Sequence, residues 1–455
     1  MFYPEIFEEN QKIANGSNPE DAEFPDWIHL KANLLGNFPD NLKYSKELLD
    51  WIMNSSYITH PTAVVACFIT IISSLTARKV YTDTGCSTTL YTIAIAPTGS
   101  GKDIVMDIPK KVSNLFLRQK EVLIQGKINS EAALDDIFKD NDVVTYIVDE
   151  FGDILGQMLK GGSSHFTALM RKFKTLYSST NGTYESARYS SSGGRTKLEE
   201  PWEKEKPCFI LTGITTKEQL LSNLKEKMIH DGFLNRFIIM NGSNIQPWQL
   251  ENIVQKNIPE SIKNRISAIL TTIFYNKNEL IIKRSIDAKK YYNDFIGTPY
   301  KEGSDIQAFC KNGNFEENAA ISNRWRENAL RLATALTAYD ISLVPVTYES
   351  ISEVSKEVLE WSYTFIKNIS IEFYKTFEDE ANQTTYQKNK DKAIKWFKEK
   401  QINPSIKHSL SYLVQYSRVF KNLQPAQRKV LLNDLIESGI IDIIDEMEKK
   451  YYKYK

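Results

Sequence analysis

The chain has 455 residues, 42% of them hydrophobic and 25% charged, which is ordinary for a globular protein that buries a real core and is long enough for two or three domains. Acidic and basic residues balance at 57 each, so net charge names no partner and only local charge carries information. Four widely spaced cysteines (Cys67, Cys86, Cys208, Cys310) with no CxxC pair argue against a zinc knuckle and a secreted disulfide framework.

The first residues, MFYPEIFEENQKIANG, are acidic and polar and do not read as a signal peptide. The most apolar run, residues 63–75, is interrupted by Thr70, Ser73 and Ser74 and is too short to span a bilayer. A cytoplasmic chain without membrane contact is expected. Residues 25–51 carry short apolar clusters broken by Pro39, which reads as a helical N-terminal layer over 1–58. Residues 60–77 are apolar on nearly every face and predict one buried helix. Residues 89–95 predict a strand that runs into a glycine-rich turn, followed by a helix over 104–118.

Further strands are expected at 143–148, 208–212 and 233–240. Their apolar runs are continuous rather than alternating, as in strands covered on both faces. Strands alternating with helices predict an α/β core over 59–257 with a doubly wound, mostly parallel sheet. Within it, the stretch STNGTYESARYSSSGGRTKLEEPW reads as a loop, long enough for a compact domain to suggest a function. A helical segment is expected over 258–380. Residues 386–455 are more basic and predict helices and a short strand pair in the order of a winged helix.

Ala96-Pro97-Thr98-Gly99-Ser100-Gly101-Lys102-Asp103 fits the nucleotide-binding pattern (G/A)xxxxGK(S/T) everywhere but its last position. Glycines at 99 and 101 let backbone N–H groups turn inward as an anion nest, and the following helix adds its positive end. Lys102 supplies a point charge for the β- and γ-phosphates. Asp103 stands where a hydroxyl normally meets Mg²⁺. An aspartate holds such an ion directly or through water, so either the metal geometry differs or hydrolysis is weakened.

VVTYIVDE delivers Asp149 and Glu150 at a strand end, where parallel sheets place ligands. Asp149 suits Mg²⁺, and Glu150 suits orientation of the attacking water. Thr212 is expected to end the next strand, either facing the γ-phosphate or forming the turn before Gly213. Arg236 in DGFLNRF is a candidate to reach a neighbour's γ-phosphate, against a purely structural role.

Four stretches together resemble a RecA-like P-loop ATPase domain of unknown function found in phage, plasmid and genomic-island replication proteins, often fused to primase domains. They are HPTAVVACFITIISSL, APTGSGKD, YIVDEFGDIL, and ILTGITTKEQL with DGFLNRFII; RWRENALRLATALTAYD adds a trailing helix. The resemblance covers about residues 25–340 and implies ATP and Mg²⁺ as cofactors and a hexameric motor of helicase type. It also makes Arg326 or Arg331 a candidate nucleotide-sensing arginine, with Arg331 preferred for its place beside the apolar ladder. No primase segment is visible, so a priming partner would be a separate chain.

Two regions offer DNA contacts: the Ser/Gly loop with Arg188, Arg195 and Lys197 beside Tyr184 and Tyr189, and the third helix of the C-terminal segment with Arg428 and Lys429. The expected function is ATP-driven translocation on, or unwinding of, DNA during replication of a mobile element. Two alternatives stay open: an ATP-controlled initiator or helicase loader, which Asp103 favours, and a defence ATPase with a protein target.

Overall fold

The computed structural model describes residues 38–159, 164–187, 201–223, 232–243, 245, 247–249, 256–275, 279–341, 353–400, 407–446 and 449–454. Two compact units divide the chain, Met1–Phe373 and Tyr374–Lys455. In the first, the main elements are α1 (Lys43–Met53), α2 (Pro61–Thr76), β1 (Tyr91–Ile95), α3 (Ile104–Ser113), β2 (Glu121–Ile124), α4 (Glu131–Asp140), β3 (Val143–Val148), α5 (Phe151–Leu159), α6 (Ser164–Ser178), β4 (Cys208–Thr215), α7 (Lys217–Asn223), β5 (Phe237–Asn241), α8 (Glu260–Tyr275) and α9 (Trp325–Asp340), with shorter pieces between them.

The five strands form one parallel sheet in the order β2-β3-β4-β1-β5. Alternation along each strand sorts its side chains onto two faces. Tyr91, Tyr146 and Phe209 point to one face, where Phe173 and Tyr177 of α6 complete a cluster of rings. Their chain neighbours point to the other face, against α2. There Thr212 Oγ1 meets Thr70 Oγ1 at 2.6 Å, and Thr145 Oγ1 meets Ser74 Oγ at 2.8 Å. Helices therefore cover both faces of the sheet, which explains the continuous apolar runs of β1, β3 and β4.

Every residue of α2 is buried, because the sheet lies on one side and α1 and α9 on the other. His60 caps its N-terminus and Pro61 occupies the first helical position, where a missing N–H costs nothing. The hydroxyls that interrupt this apolar helix also bond back to carbonyls one turn earlier, Thr70 to Ala66 at 2.6 Å and Ser74 to Thr70 at 2.7 Å. A buried hydroxyl so satisfied carries little penalty. At the far end of α9, Asp340 accepts the Tyr44 and Ser45 N–H groups at 2.6 and 3.0 Å, binding α9 to the start of α1.

Several boundaries differ from the sequence expectation. The strand expected to stop at Thr212 continues to Thr215, and Gly213 is a strand residue rather than a turn. The Phe151 ring fills the space above it: a Cβ at 213 would lie 2.5 Å from Phe151 Cγ. Residues 234–236 form a 3₁₀ turn before β5 instead of extending the strand, and the helix after the glycine-rich loop ends at Ser113. The edge strand β2 was not expected; its EVLI run is short, half-buried and without clear alternation. Residues 1–37 of the expected N-terminal layer lie outside the described residues.

The second unit takes residues from 374 onward of helix α10 (Lys356–Lys400), then α11 (Leu410–Tyr416), α12 (Arg418–Asn422) and α13 (Pro425–Glu437), with a three-stranded antiparallel sheet. That sheet orders β6 (His408–Ser409), β8 (Lys449–Tyr454) and β7 (Ile441–Glu446) with β8 in the middle. Phe397, Leu413, Phe420, Leu432, Leu435 and Ile441 share its core. Among the described residues, no helix of either unit is long and apolar enough to cross a membrane.

Candidate functional site

The glycine-rich loop leaves the C-terminal end of β1 and turns directly into α3. Gly99 and Gly101 adopt φ of +72° and +78°, a region in which other residues are strained. Alternating handedness of this kind turns successive N–H groups to one side, the geometry of an anion nest. The Ser100 hydroxyl closes the turn on the Pro97 carbonyl at 2.7 Å, and the Ala96 N–H is held by the Thr215 carbonyl at 3.0 Å. Thr98, Gly99 and Asp103 are exposed, Pro97, Gly101 and Lys102 are partly so, and Ser100 is buried.

Strand β4 lies between β1 and β3, so the ends of β1 and β3 are about 10 Å apart. Lys102 spans that gap and places Nζ 3.8 Å from Asp149 Oδ1. The Asp149 side chain is about half exposed, and its Oδ1 also accepts the Glu150 N–H at 2.9 Å. Glu150 has φ +54°, a left-handed conformation that costs on the order of 1 kcal/mol in a residue with a side chain. It is also exposed, with Phe151 opening α5 immediately after it. Among residues 96–103 and 149–151, Glu150 is the one residue other than glycine with a positive φ.

Asp103 precedes α3 and is exposed, with no capping bond from its side chain. The described residues hold no group of three or more His, Cys, Asp or Glu side chains suited to a metal. They do offer the Asp149 carboxylate, beside Lys102, and the exposed Asp103, which follows Lys102 in the chain. That donor set fits Mg²⁺, which takes one or two protein carboxylates and completes its shell with phosphate and water. The space over Gly99 is open, with nothing within 4 Å of its ideal Cβ.

A buried histidine supports the loop from below. His60 Nε2 lies 3.1 Å from the Gly242 carbonyl and Nδ1 lies 2.8 Å from Thr62 Oγ1, whose hydroxyl donates to the Ile95 carbonyl at 3.2 Å. Burial lowers its pKa to about 4. An unfolded chain takes up this proton first, near pH 6.5, so the associated stability is complete above that value. It is lost as pH falls toward 4, by about 3 kcal/mol in all. Denaturant midpoints measured from pH 7 to 4.5 should fall, and His60→Asn, which keeps a capping side chain, should flatten the dependence; an equally steep profile in the variant rules this histidine out.

Four other candidate residues are committed elsewhere. Thr212 sits inside β4 and is 1% exposed, its hydroxyl shared with Thr70 and, at 3.0 Å, with Thr92. It faces α2, not the end of the sheet. The polar residues at that end are Thr215 and Thr216, which the apparent turn at Gly213 hid. Thr215 Oγ1 accepts the Gly152 N–H at 3.3 Å, linking the end of β4 to α5. Arg331 is 1% exposed and donates to the Thr89 carbonyl at 3.0 Å, the Tyr177 carbonyl at 3.1 Å and Glu327 at 2.6 Å. Thr89 precedes β1 whereas the loop follows it, so Arg331 serves the opposite end of the sheet and cannot sense a nucleotide at the loop. Burial opposes its charge, but Tyr177 and Glu327 outweigh that and raise its pKa.

Tyr184 is buried in strand Thr183–Glu185, with its hydroxyl on Asp135, and offers no face to a base. Arg428 uses Nη2 on the Lys421 carbonyl at 3.2 Å and Nε on the Phe420 carbonyl, satisfying the last turn of α12. Lys429 beside it is exposed. Arg188, Arg195 and Lys197 lie outside the described residues.

Arg236 stands immediately before β5, at the sheet end opposite the loop of its own chain. Its guanidinium donates to the Gly232 carbonyl and lies 5.9 Å from the Tyr177 ring centre. Burial, with repulsion from Arg324, lowers its pKa. A scan against protein-family models and a search of curated proteins both find no match to this chain.

Proposed function

We propose that the chain is an ATPase with a RecA-like P-loop core, which binds Mg²⁺-ATP at Ala96–Asp103 and couples its hydrolysis to movement on DNA as a ring of identical copies, a hexamer by resemblance. The observation that carries this reading is Lys102 Nζ at 3.8 Å from Asp149 Oδ1, joining a positive-φ glycine loop to a carboxylate two strands away. Strand, nest, lysine and acidic strand end converge on one edge of a parallel sheet, where such sheets receive ligands.

In this reading the amides of residues 99–102 and the Lys102 ammonium hold the β- and γ-phosphates. Asp149, with Asp103, holds Mg²⁺, which would neutralise charge building on the phosphates. Glu150 orients a water for in-line attack and accepts its proton. Arg236 is too far from its own loop and completes the site of a neighbouring copy. The order of helices and the antiparallel sheet in residues 386–455 suits a winged helix, and exposed Lys429 on α13 is its candidate DNA contact.

The test is phosphate release by the purified chain with Mg²⁺-ATP, with and without single-stranded DNA. Arg236→Ala should bind ATP normally yet lose turnover by at least about 10²-fold. Mixing it with Glu150→Ala chains should restore part of the rate, because each chain then supplies what the other lacks; failure to restore argues against action between copies. Asp103 in place of a hydroxyl favours a second reading, an ATP-controlled initiator or helicase loader. A strand-displacement assay separates the two, since a loader does not unwind a fork alone.

A further inference from the structure

The C-terminal unit carries a column of aromatic rings that its core does not close over. Trp396 of α10 meets His408 of β6 edge-on, with 5.1 Å between ring centres. His408 stacks on Tyr412 at 5.0 Å, and Tyr416 follows at 4.4 Å. His408 is buried and Trp396 partly so, but Tyr412 is 38% exposed and Tyr416 55%. The two tyrosines stand one turn apart on α11 and share a face, while Leu413 anchors the helix in the core. Three of the twelve exposed large hydrophobic side chains among the described residues, Leu410, Tyr412 and Tyr416, belong to this one seven-residue helix. Single exposed apolar side chains are ordinary, whereas a concentration of them marks a contact surface.

The same stretch of chain is strongly basic. Residues 392–429 hold nine Lys or Arg and one acidic residue, Glu399, which lies 3.9 Å from Lys395. Lys392, Trp396 and Lys400 follow at intervals of four along α10 and so lie on one side of it. Burial, and then the charge of Lys400, lowers the His408 pKa, which places that ammonium near the rings. Arg418 comes two residues after Tyr416, at the start of α12. Lys392, Lys400 and Arg418 are exposed, and none of them pairs with a carboxylate among the described residues.

Rings and cations together select the occupant. Duplex DNA offers phosphates but keeps its base faces in the stack. A single strand offers an anionic backbone and free base faces at once, and every base has a face on which a tyrosine can stack. The column stands on α10, β6 and α11, not on α13, the helix that a winged helix lays in the major groove.

We infer that Tyr412 and Tyr416 form a platform on which bases of single-stranded DNA stack, with Lys392, Lys400 and Arg418 meeting its phosphates. The inference rests on the DNA half of the reading above and is independent of ATP hydrolysis.

The test is binding of labelled oligothymidylate, and of a duplex of the same length, to the full chain, followed by fluorescence anisotropy over a range of salt. Tyr416→Ala should weaken single-strand binding about tenfold and change duplex binding by no more than about twofold. Tyr416→Phe, which keeps the ring, should bind as the wild type does. Arg418→Gln should weaken binding and lower the slope of log affinity against log salt by about 0.7. Normal single-strand affinity in Tyr416→Ala, an equal loss on the duplex, or tighter wild-type binding of oligouridylate overturns the inference alone. So does an altered oligomeric state of Tyr416→Ala with DNA binding intact, which gives the rings to a second copy of the chain. A wild-type chain that binds neither strand nor duplex overturns this inference together with the DNA half of the proposed function, and leaves the ATPase half untouched.

Discussion

On the proposed ATPase reading, Lys102→Ala should bring ATP turnover down to background, a fall of about 10³-fold, while the protein stays folded. The two halves of this expectation rest on different features. Lys102 pairs with an Asp149 side chain that is about half exposed, at a distance of 3.8 Å. Such a pair contributes about 0–1 kcal/mol to stability, so the melting temperature should move by no more than a few degrees. In the proposed site the same ammonium would face negative charge that grows as a terminal phosphate departs, where a fixed donor is worth far more than in water. Phosphate release and thermal unfolding measured on one preparation check both halves. Turnover at the wild-type rate removes the loop from the mechanism.

Gly101→Ala should cost much more stability than Gly99→Ala, although the two glycines lie in one loop at nearly the same φ. A Cβ at 101 would lie 2.1 Å from the Ile58 carbonyl oxygen and 2.6 Å from its carbon, both main-chain atoms that cannot rotate away. Ile58 is itself fixed, because strand Ile58–Thr59 pairs with Trp248–Gln249. The loop has to move, and overpacking added to the left-handed penalty costs about 2–4 kcal/mol. At 99 the added methyl meets nothing within 4 Å, so the conformational penalty alone remains, about 1 kcal/mol. Denaturant melts of the two variants measure the difference, and nucleotide affinity should fall further for Gly101→Ala because its loop is displaced. Equal stabilities would mean that the loop does not rest on Ile58.

The strain at Glu150 fits the same division between stability and chemistry. Its φ of +54° is unfavourable for any residue with a side chain, yet it aims an exposed carboxylate from the turn between β3 and α5. Such strain persists because the sheet on one side and α5 on the other over-determine the turn.

What local sequence encoded was local geometry. Apolar β-branched runs marked β1 and β3, the latter to its last residue, and an apolar stretch closed by His60 and Pro61 marked α2. Two glycines two apart before a lysine marked the loop, because only glycine takes a positive φ without cost and that requirement is set by chain neighbours alone. The edge that brings the loop and Asp149 together was legible from order along the chain, since parallel strands end on one side.

Which polar side chains remained available was decided by contacts across long stretches of sequence. Thr212 answers Thr70, 142 residues away; Arg331 answers Thr89, 242 away; Gly213 stays in a strand because Phe151 lies over it. A threonine or arginine has one set of donors, and once folding spends them on a buried neighbour they are lost to a ligand. The arginines seated against Tyr177 and Tyr292 were invisible for the converse reason: Arg236, Arg284 and Arg331 come from separated segments, and only tertiary packing sets each guanidinium over a ring.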